Sequence, residues 1–303
     1  MKYVLITPAR NEEKFIRKTL DSVTTQTQPP LRWVIVSDGS TDRTGEYAEE
    51  YAARFPWIEV VHRSRDVPRC FAGKVHAFNA GLERVKSLDY EVIANLDADL
   101  SFEPDYLEFL MKQFALDPKL GVAGTPFIEN GYDTTKDSFE GEKHVAGGCQ
   151  MFRRSCFEEI GGYRPNSAGG IDWIAVTTAR MKGWRTRSFF EKRFHHHRHL
   201  GTAERGILAA MFSYGEKDYY LGNSPVWQLF RFGFNLSKKP LIVGAVALAS
   251  GYFSAALRRL PRAVSPELMR FHRAEQMQKL KAILRSLVPF KKANGLVATA
   301  GKS

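Results

Sequence analysis

The sequence lacks the features that mark secreted, disulfide-bonded or zinc-ribbon proteins. It has three cysteines among 303 residues, none in a C-x-x-C spacing, which favours a reducing compartment. The apolar run at residues 3–7 is too short for a secretory signal, so we expect no export. The sequence contains neither a G-x-G-x-x-G fingerprint nor a Walker A motif, which argues against dehydrogenases and P-loop ATPases.

Negative charge is scarce in the last part of the chain. Residues 180–303 contain 23 Lys and Arg against 6 Asp and Glu, a net charge of +17, whereas residues 1–179 contain 21 against 27, a net charge of −6. Such a basic segment suits nucleic acid or the anionic cytoplasmic leaflet of a membrane. A length of 303 residues with 44% hydrophobic and 25% charged residues predicts a folded catalytic domain and a tail.

Short apolar runs alternate with helical patterns over the first 120 residues. Runs without polar alternation indicate strands buried on both faces, and the order of strands and helices predicts an open α/β sheet. Ligands bind beyond the carboxyl ends of strands in such sheets, so the polar residues that follow each strand are candidate ligand contacts. The predicted strands are 3–7, 33–37, 58–61 and 92–96, and the predicted helices are 12–25, 42–55, 74–87 and 104–115.

Two carboxylates follow the fourth predicted strand, at Asp97 and Asp99. Alternate positions allow both side chains to turn toward one divalent cation, and hard oxygen ligands suit Mg²⁺ or Mn²⁺. An isolated D-x-D is also common in solvated loops, and that alternative stays open for the pair taken alone.

Five motifs together resemble the family-2 glycosyltransferases, which are inverting enzymes with the GT-A fold. The resemblance covers residues 1–201 and implies a GT-A domain there, with a nucleotide-sugar half at 1–120 and an acceptor half at 121–201. The Q-x-x-R-W signature of processive synthases does not occur, so we expect transfer of one sugar at a time. The motifs are T-P-A-R-N-E-E (7–13), S-D-G-S-T-D-R-T (37–44), G-K-V-H-A-F-N-A-G (73–81), N-L-D-A-D-L (95–100) and G-G-C-Q-M-F-R-R (147–154).

The resemblance implies roles for individual residues. Asp38 would hydrogen-bond the base, commonly uracil, and Lys74 would face the base or the diphosphate, although a solvated lysine at a helix start is the alternative. Asp97 would meet the ribose or the metal ion, and Asp99 would be the firmer metal ligand. Three further residues would line the nucleotide pocket: Pro8, Arg10 and Glu12.

Asp172 is the candidate general base. The segment G-G-I-D-W at residues 169–173 resembles the G-G-E-D segment of the family, with Ile171 in place of the usual acidic residue. Gly, Ile and Trp neighbours suit partial desolvation of a carboxylate that removes a proton from the acceptor hydroxyl. Asp172 also precedes a helix predicted at 174–182, so an N-cap role is the alternative.

The cluster H-H-H-R-H at residues 195–199 corresponds to a shorter His-containing element of the family that closes over metal and diphosphate. We expect His196 and His197 to complete a Mn²⁺ shell and Arg198 to donate to phosphate oxygens. A surface cluster with no metal role is the alternative.

The region 202–303 is predicted to associate with a membrane, chiefly through residues 238–290. Residues 241–257 carry no charge but fall short of the roughly 20 residues that span hydrocarbon, so an in-plane hairpin and a buried core helix are both open. A basic helix from Pro266 would place an apolar stripe against lipid. The stripe is Leu268, Phe271, Leu280 and Leu284.

These expectations combine into one functional prediction. The chain would move a sugar from a nucleotide-sugar, commonly a UDP-sugar, to a hydroxyl of a lipid-linked saccharide, with Mn²⁺ or Mg²⁺, at the cytoplasmic side of the membrane. A polyprenyl-phosphate hexosyltransferase is the alternative, because a phosphate acceptor needs no base. A non-catalytic nucleic-acid-binding protein would leave the N-terminal motifs unexplained, so we expect no nucleic-acid partner.

Overall fold

The computed structural model describes residues 1–64, 71–129, 132–133, 141–166, 169–198, 206–236 and 240–287. Some of the predictions concern residues outside this part of the chain. They are the domain boundary at Gly201, His199 of the histidine cluster, and Lys238, Lys239 and residues 288–290 of the predicted membrane region. The strands are β1 Tyr3–Ala9, β2 Arg32–Asp38, β3 Ile58–Arg63, β4 Val92–Leu96, β5 Leu100–Phe102, β6 Leu120–Gly124, β7 Phe127–Glu129, β8 Tyr132–Asp133, β9 Cys149–Arg153, β10 Arg185–Ser188 and β11 Phe194–His196. The helices are α1 Ile16–Thr24, α2 Thr44–Ala52, α3 Phe71–Val85, α4 Tyr106–Leu116, α5 Arg154–Glu159, α6 Ile171–Met181, α7 Ile207–Tyr220, α8 Pro225–Asn235, α9 Leu241–Leu257 and α10 Pro266–Leu287.

Seven strands form one open mixed sheet in the order β10-β6-β9-β4-β1-β2-β3. The predicted strands β1 to β4 lie side by side and parallel, which confirms the α/β interpretation. Strand β9 runs antiparallel between β4 and β6 and makes the sheet mixed. A second, four-stranded sheet has the order β5-β11-β7-β8 and stands next to the carboxyl end of β4.

Apolar side chains cover both faces of the large sheet, as continuous apolar strands require. Alternate residues of β1 separate onto two core clusters, with Leu5 in one and Ile6 in the other. Helix α1 contributes Ile16, Leu20 and Val23 to the first cluster from positions that share one helical face. Because both faces of these strands are buried, each strand ends where its apolar residues end. The polar residues that follow therefore lie at the edge of the sheet.

Helix α10 docks on α6, and this packing bears on one residue of the predicted lipid-facing stripe. Arg180 of α6 donates from Nε and Nη2 to the two carboxylate oxygens of Glu275 at 2.9 and 3.0 Å. The rings of Trp173 and His272 meet edge to face at 4.5 Å. Leu268 is 4% exposed, so the prediction that it faces lipid is wrong, because protein packing already covers it.

Helices α7 and α9 pack against each other through glycine. A Cβ on Gly215 would collide with the carbonyl oxygen of Leu248, and one on Gly251 would collide with that of Phe212. Only glycine allows the two backbones to approach this closely. Among the described residues, no helix is both long enough and apolar enough to cross a membrane.

Candidate active site

The polar residues that follow β1, β2 and β4 meet in one cavity. Its volume is about 160 Å³, and it opens at the carboxyl ends of these strands, where the topology predicted a ligand site. Six of the seven residues predicted to bind the nucleotide-sugar contribute to its wall, and the seventh, Arg198, forms an ion pair with one of them, Glu12. The lining is Pro8, Ala9, Arg10, Glu12, Asp38, Lys74, Ala77, Asp97, Ala98 and Asp99.

Asn11 ties the loops after β1 and β2 together. Its backbone adopts a φ of 54°, an uncommon conformation that asparagine tolerates better than most residues. Its Oδ1 accepts a hydrogen bond from the backbone N–H of Thr41 at 2.9 Å. The N–H of Glu12 donates to Thr44 Oγ1 at 2.7 Å, which fixes the first residue of the acidic pair in the loop. These bonds explain how two separate loops present Glu12 and Asp38 to one cavity.

Asp38 is held by an arginine from the neighbouring strand. It is 4% exposed and pairs in register with Arg63 of β3, whose Nη1 donates to Asp38 Oδ1 at 2.9 Å. A buried carboxylate needs such a partner, because an unpaired charge away from water is costly.

Asp97 pairs with a lysine in the wall of the cavity. Lys74 at the start of α3 donates from Nζ to Asp97 Oδ1 at 2.5 Å. Burial lowers the pKa of Lys74, but the carboxylates of Asp97, Asp172 and Asp99 together raise it above its ordinary value. Lys74 is therefore a firm positive charge that a diphosphate would share with Asp97.

Asp99 is more buried than Asp97, with 9% of its side chain exposed against 26%. Arg198 forms an ion pair with Glu12 and brings its Nε to 3.3 Å from Asp99 Oδ2. Burial and the neighbouring Asp97 raise the pKa of Asp99, and His196 and Arg198 offset part of this rise. The other oxygen, Oδ1, is buried and has no hydrogen-bond partner.

His196 stands between Asp99 and a glutamate that sequence reasoning missed. Its Nε2 lies 3.6 Å from Asp99 Oδ2, and its Nδ1 lies 3.5 Å from Glu129 Oε2. The register of β11 sets this arrangement, because His196 pairs with Leu100 on one side and with Glu129 on the other. Only the pairing of segments distant in sequence brings Glu129 here, so no local pattern signals it.

His197 does not join the carboxylates. Its Nε2 is 2.8 Å from Ser101 Oγ, and its Nδ1 is 3.4 Å from Lys18 Nζ. Burial is the largest of the effects that lower its pKa, and the Lys18 ammonium lowers it further. Strand β11 ends at His196, and the ring of the next residue, His197, contacts Ser101 and Lys18. The expectation that His197 ligates a metal stays a prediction.

Asp172 lies in the first turn of α6 and not before it. The helix begins at Ile171, three residues earlier than predicted, and Gly170 is the N-cap with a left-handed φ of 73°. The predicted N-cap role of Asp172 is wrong, because glycine occupies the cap at no steric cost. A carboxylate in the first turn is stabilised by the helix dipole instead.

The Asp172 carboxylate lies against Gly147, the first of two glycines that directly precede β9. A Cβ on Gly147 would lie 2.5 Å from Asp172 Oδ2. The carbonyl of Gly147 accepts from Asn95 Nδ2 at 3.0 Å, and the carbonyl of Gly148 accepts from the N–H of Asp97 at 2.8 Å. The same two glycines therefore connect the candidate base, Asp172, to Asp97.

Gln150 supports the start of α6 from below. It is fully buried, donates to the carbonyl of Val145 at 2.9 Å and reaches the carbonyl of Asp172 at 3.5 Å. Its Oε1 accepts from Tyr163 Oη at 2.8 Å. Gln150 belongs to a quoted motif, but its supporting role follows only from these contacts.

The donor set fits a divalent cation, with hard carboxylate oxygens and one imidazole. Ligands about 2.1 Å from one ion lie roughly 3.0 to 3.4 Å apart, close to the 3.6 Å between His196 Nε2 and Asp99 Oδ2. The unpartnered Asp99 Oδ1 supports the fit. The described residues contain no group of three or more His, Cys, Asp or Glu side chains already arranged around one point.

The chain is similar to known glycosyltransferases in sequence and in fold. Residues 4–138 match the model of glycosyl transferase family 2. The chain is 36% identical over 112 residues to the glycosyltransferase GlyA of Streptococcus pneumoniae, which is 37% of this chain and 15% of that protein. It is 33% identical over 123 residues to a poly-beta-1,6-N-acetyl-D-glucosamine synthase of Staphylococcus epidermidis, which is 40% of this chain and 27% of that protein. The matched segment thus spans less than a third of either relative.

Two solved structures share the fold. A mannosyltransferase of Pyrobaculum calidifontis, in complex with GDP-Man and Mn²⁺, aligns with a TM-score of 0.57 and 20% identity over 94% of this chain and 87% of its own. Residues 1–349 of TarS of Staphylococcus aureus, in complex with UDP-GlcNAc, align with a TM-score of 0.56 and 14% identity over 95% of this chain and 84% of its own. The chain therefore has a GT-A fold and carries a family-2 glycosyltransferase domain over residues 4–138.

Proposed function

We propose that this chain is an inverting, metal-dependent glycosyltransferase that moves one sugar from a nucleotide-sugar, preferably a UDP-sugar, to a hydroxyl of a lipid-linked saccharide. One observation carries the proposal. Asp38, Lys74, Asp97 and Asp99 line a single cavity, and the Gly147–Gly148 pair connects it to Asp172. The N–H of Asp97 donates to the carbonyl of Gly148 at 2.8 Å, and a Cβ on Gly147 would lie 2.5 Å from Asp172 Oδ2. That arrangement supplies a base-binding, a diphosphate-binding and a proton-accepting group in one place.

On the donor side, Asp38 accepts hydrogen bonds from the nucleobase, and Lys74 and Arg198 donate to the diphosphate. Asp97, Asp99 and His196 are the residues that would hold Mn²⁺ or Mg²⁺. When bound there, the cation would offset the negative charge that develops on the departing nucleoside diphosphate. Arg198 is paired with Glu12 and Asp99, and we propose that it turns to phosphate oxygens when donor binds.

On the acceptor side, Asp172 removes the proton of the attacking hydroxyl. Gly147 leaves room beside its carboxylate, and Gln150 holds the first turn of α6 that carries it. Direct displacement from the face opposite the nucleotide inverts the anomeric centre. A phosphate acceptor would need no base, so a placed carboxylate favours a hydroxyl acceptor over a polyprenyl phosphate.

Membrane-linked substrate and cytoplasmic location remain part of this proposal. The relatives include a polysaccharide synthase and a 4,4'-diaponeurosporenoate glycosyltransferase of Staphylococcus aureus, 35% identical over 138 residues, 45% of this chain and 33% of that protein. These names support an acceptor that is large or lipid-like.

Donor binding tests the proposal first. UDP-, GDP- and dTDP-sugars are screened with Mn²⁺ by thermal shift, since a ligand that binds the native state raises Tm. We expect stabilisation by one donor class, lost in Asp38→Ala and kept in Asp105→Ala, a control whose exposed carboxylate pairs with Lys192 outside the cavity. Absence of stabilisation by every donor, or equal loss in both variants, would contradict the proposal.

A further inference from the structure

Helix α9 has two apolar faces, and protein covers only one of them. Its inner face packs on α7 through Gly244, Ala245, Leu248, Gly251, Tyr252 and Ala255, all buried. Its outer face carries large apolar side chains that are exposed along the whole helix. Their exposed fractions are Leu241 56%, Ile242 63%, Val243 58%, Val246 46%, Phe253 37% and Leu257 84%.

The neighbouring helix α8 packs against α9 and also exposes large apolar side chains. Among its described residues, three large apolar side chains are exposed, and Leu236 follows them just after the helix. Trp227 and Gln228 point inward, so α8 also presents one covered and one uncovered side. The exposed fractions are Val226 53%, Leu229 59%, Phe234 36% and Leu236 36%. We call these ten exposed residues of α8, α9 and the position after α8 the outer face.

The sequence around the outer face has no negative charge. Between Asp218 and Glu267 there is no Asp or Glu, and there are six Lys or Arg. Arg258 follows the last turn of α9, and its side chain is 61% exposed. Arg231 is paired with Asp218 on the inner side of α8. Arg258 Nη1 lies 3.9 Å from Glu216 Oε1 on α7, so acidic groups do border the region, but the segment between Asp218 and Glu267 itself has a net charge of +6. An apolar face in a segment of net positive charge suits a negatively charged surface that also has an apolar interior.

We propose that the outer face docks in the plane of an anionic lipid bilayer. A helix with apolar residues along its length and cations beyond its end lies in the interface, with its apolar face among the acyl chains. A second copy of this chain would bring two positively charged segments together, which disfavours it as the occupant. Contiguous exposed apolar patches of this kind mark interaction surfaces.

The docked helices attach next to the candidate base. A Cβ on Gly170, the N-cap of α6, would lie 3.0 Å from Leu221 just after α7, and Asp172 follows two residues later. Docking therefore holds the acceptor side of the cavity close to the lipid surface. This last step rests on the proposed transfer to a lipid-linked saccharide, whereas the docking itself does not.

Vesicle flotation of the full chain tests the docking. We compare vesicles of phosphatidylglycerol and phosphatidylcholine with vesicles of phosphatidylcholine alone, using wild type, Leu229→Glu, Leu257→Glu and Leu116→Glu. Leu116 is 78% exposed on α4, outside the outer face, and is the matched control. Because all three leucines are exposed, the substitutions should leave folding intact, which circular dichroism and thermal unfolding check independently of nucleotide binding.

We expect wild type and Leu116→Glu to float with the anionic vesicles. Leu229→Glu and Leu257→Glu should each lower the partition coefficient at least about tenfold, since each loses apolar burial and adds a repelled charge. Equal binding to neutral vesicles, equal loss in the Leu116→Glu control, or a wild-type dimer that Leu257→Glu dissociates would overturn the proposal. A chain that floats but binds no nucleotide-sugar would refute the transferase function and leave the docking standing.

Discussion

Gly147 is the residue whose replacement tests the placement of the base most sharply. A Cβ at this position would lie 2.5 Å from Oδ2, 2.9 Å from Cγ and 3.0 Å from Cβ of Asp172. An ordinary carbon–oxygen contact is about 3.3 to 3.6 Å, so the carboxylate must retreat by about 1 Å. Gly147→Ala thus moves the candidate base without changing its chemistry.

The expected magnitude follows from that displacement. A misplacement of about 1 Å costs roughly 100-fold in rate, or about 2.7 kcal/mol in the barrier. Crowding in a packed region also costs about 1 to 3 kcal/mol of stability, which lowers Tm by a few degrees. We therefore expect Gly147→Ala to lose about 100-fold in kcat while its donor Kd changes little, because the added methyl group faces Asp172.

The assay is steady-state transfer, with donor binding and thermal unfolding measured alongside it. Gly206→Ala is the control, because a Cβ there meets nothing within 4 Å and the backbone φ of −51° suits alanine. Adding Asp172→Asn to Gly147→Ala should cost little more than Asp172→Asn alone, since both changes remove the same group. Wild-type kcat in Gly147→Ala, or a loss of donor binding as large as the loss of kcat, would refute the reasoning.

Five further variants test the metal side of the cavity. Asp99→Ala should abolish metal-stimulated transfer and Asp97→Ala should also weaken nucleotide binding, because Asp97 holds Lys74; wild-type turnover of Asp99→Ala in chelator would contradict this. Glu129→Gln should weaken Mn²⁺ binding about 10- to 100-fold, as loss of a group that orients a histidine ligand does. Electron paramagnetic resonance of the Mn²⁺–UDP complex measures this binding. The ¹⁴N coupling should be lost in His196→Ala, and Glu142→Gln is the control that should bind Mn²⁺ like wild type. His197→Ala should retain that coupling, because both His197 ring nitrogens contact Ser101 and Lys18; its loss would identify His197 as a ligand.

Much of the nucleotide-binding half follows from local sequence. Strands β1, β2 and β4 contain continuous apolar runs, so their ends, and with them Asp38, Asp97 and Asp99, are predictable from pattern and topology. The gathering of these residues in one cavity is a consequence of parallel strand ends meeting at one edge.

The rest depends on contacts between distant segments. Glu129 reaches His196 only because β7 and β11 pair, and neither three-residue strand is distinctive alone. Helix α6 starts earlier than predicted, because Gly169 and Gly170 both take positive φ, at 78° and 73°, and Gly170 serves as the N-cap. The sequence pattern favoured Asp172 as the cap, because it does not reveal backbone angles. Leu268 of the stripe assigned to lipid on α10 is buried, and α10 packs on α6. Amphipathic spacing alone does not distinguish a helix face that meets protein from one that meets lipid.

Asp172→Asn in a transfer assay tests the central claim most directly. The full chain is incubated with its stabilising nucleotide-sugar, Mn²⁺ and a lipid-linked saccharide, and product formation and anomeric configuration are followed by NMR. We predict an inverted product from wild type, and in Asp172→Asn a kcat at least about 100-fold lower with the donor Kd unchanged, because only a proton acceptor is removed. Wild-type kcat in Asp172→Asn, or retention of the anomeric configuration, would contradict the account.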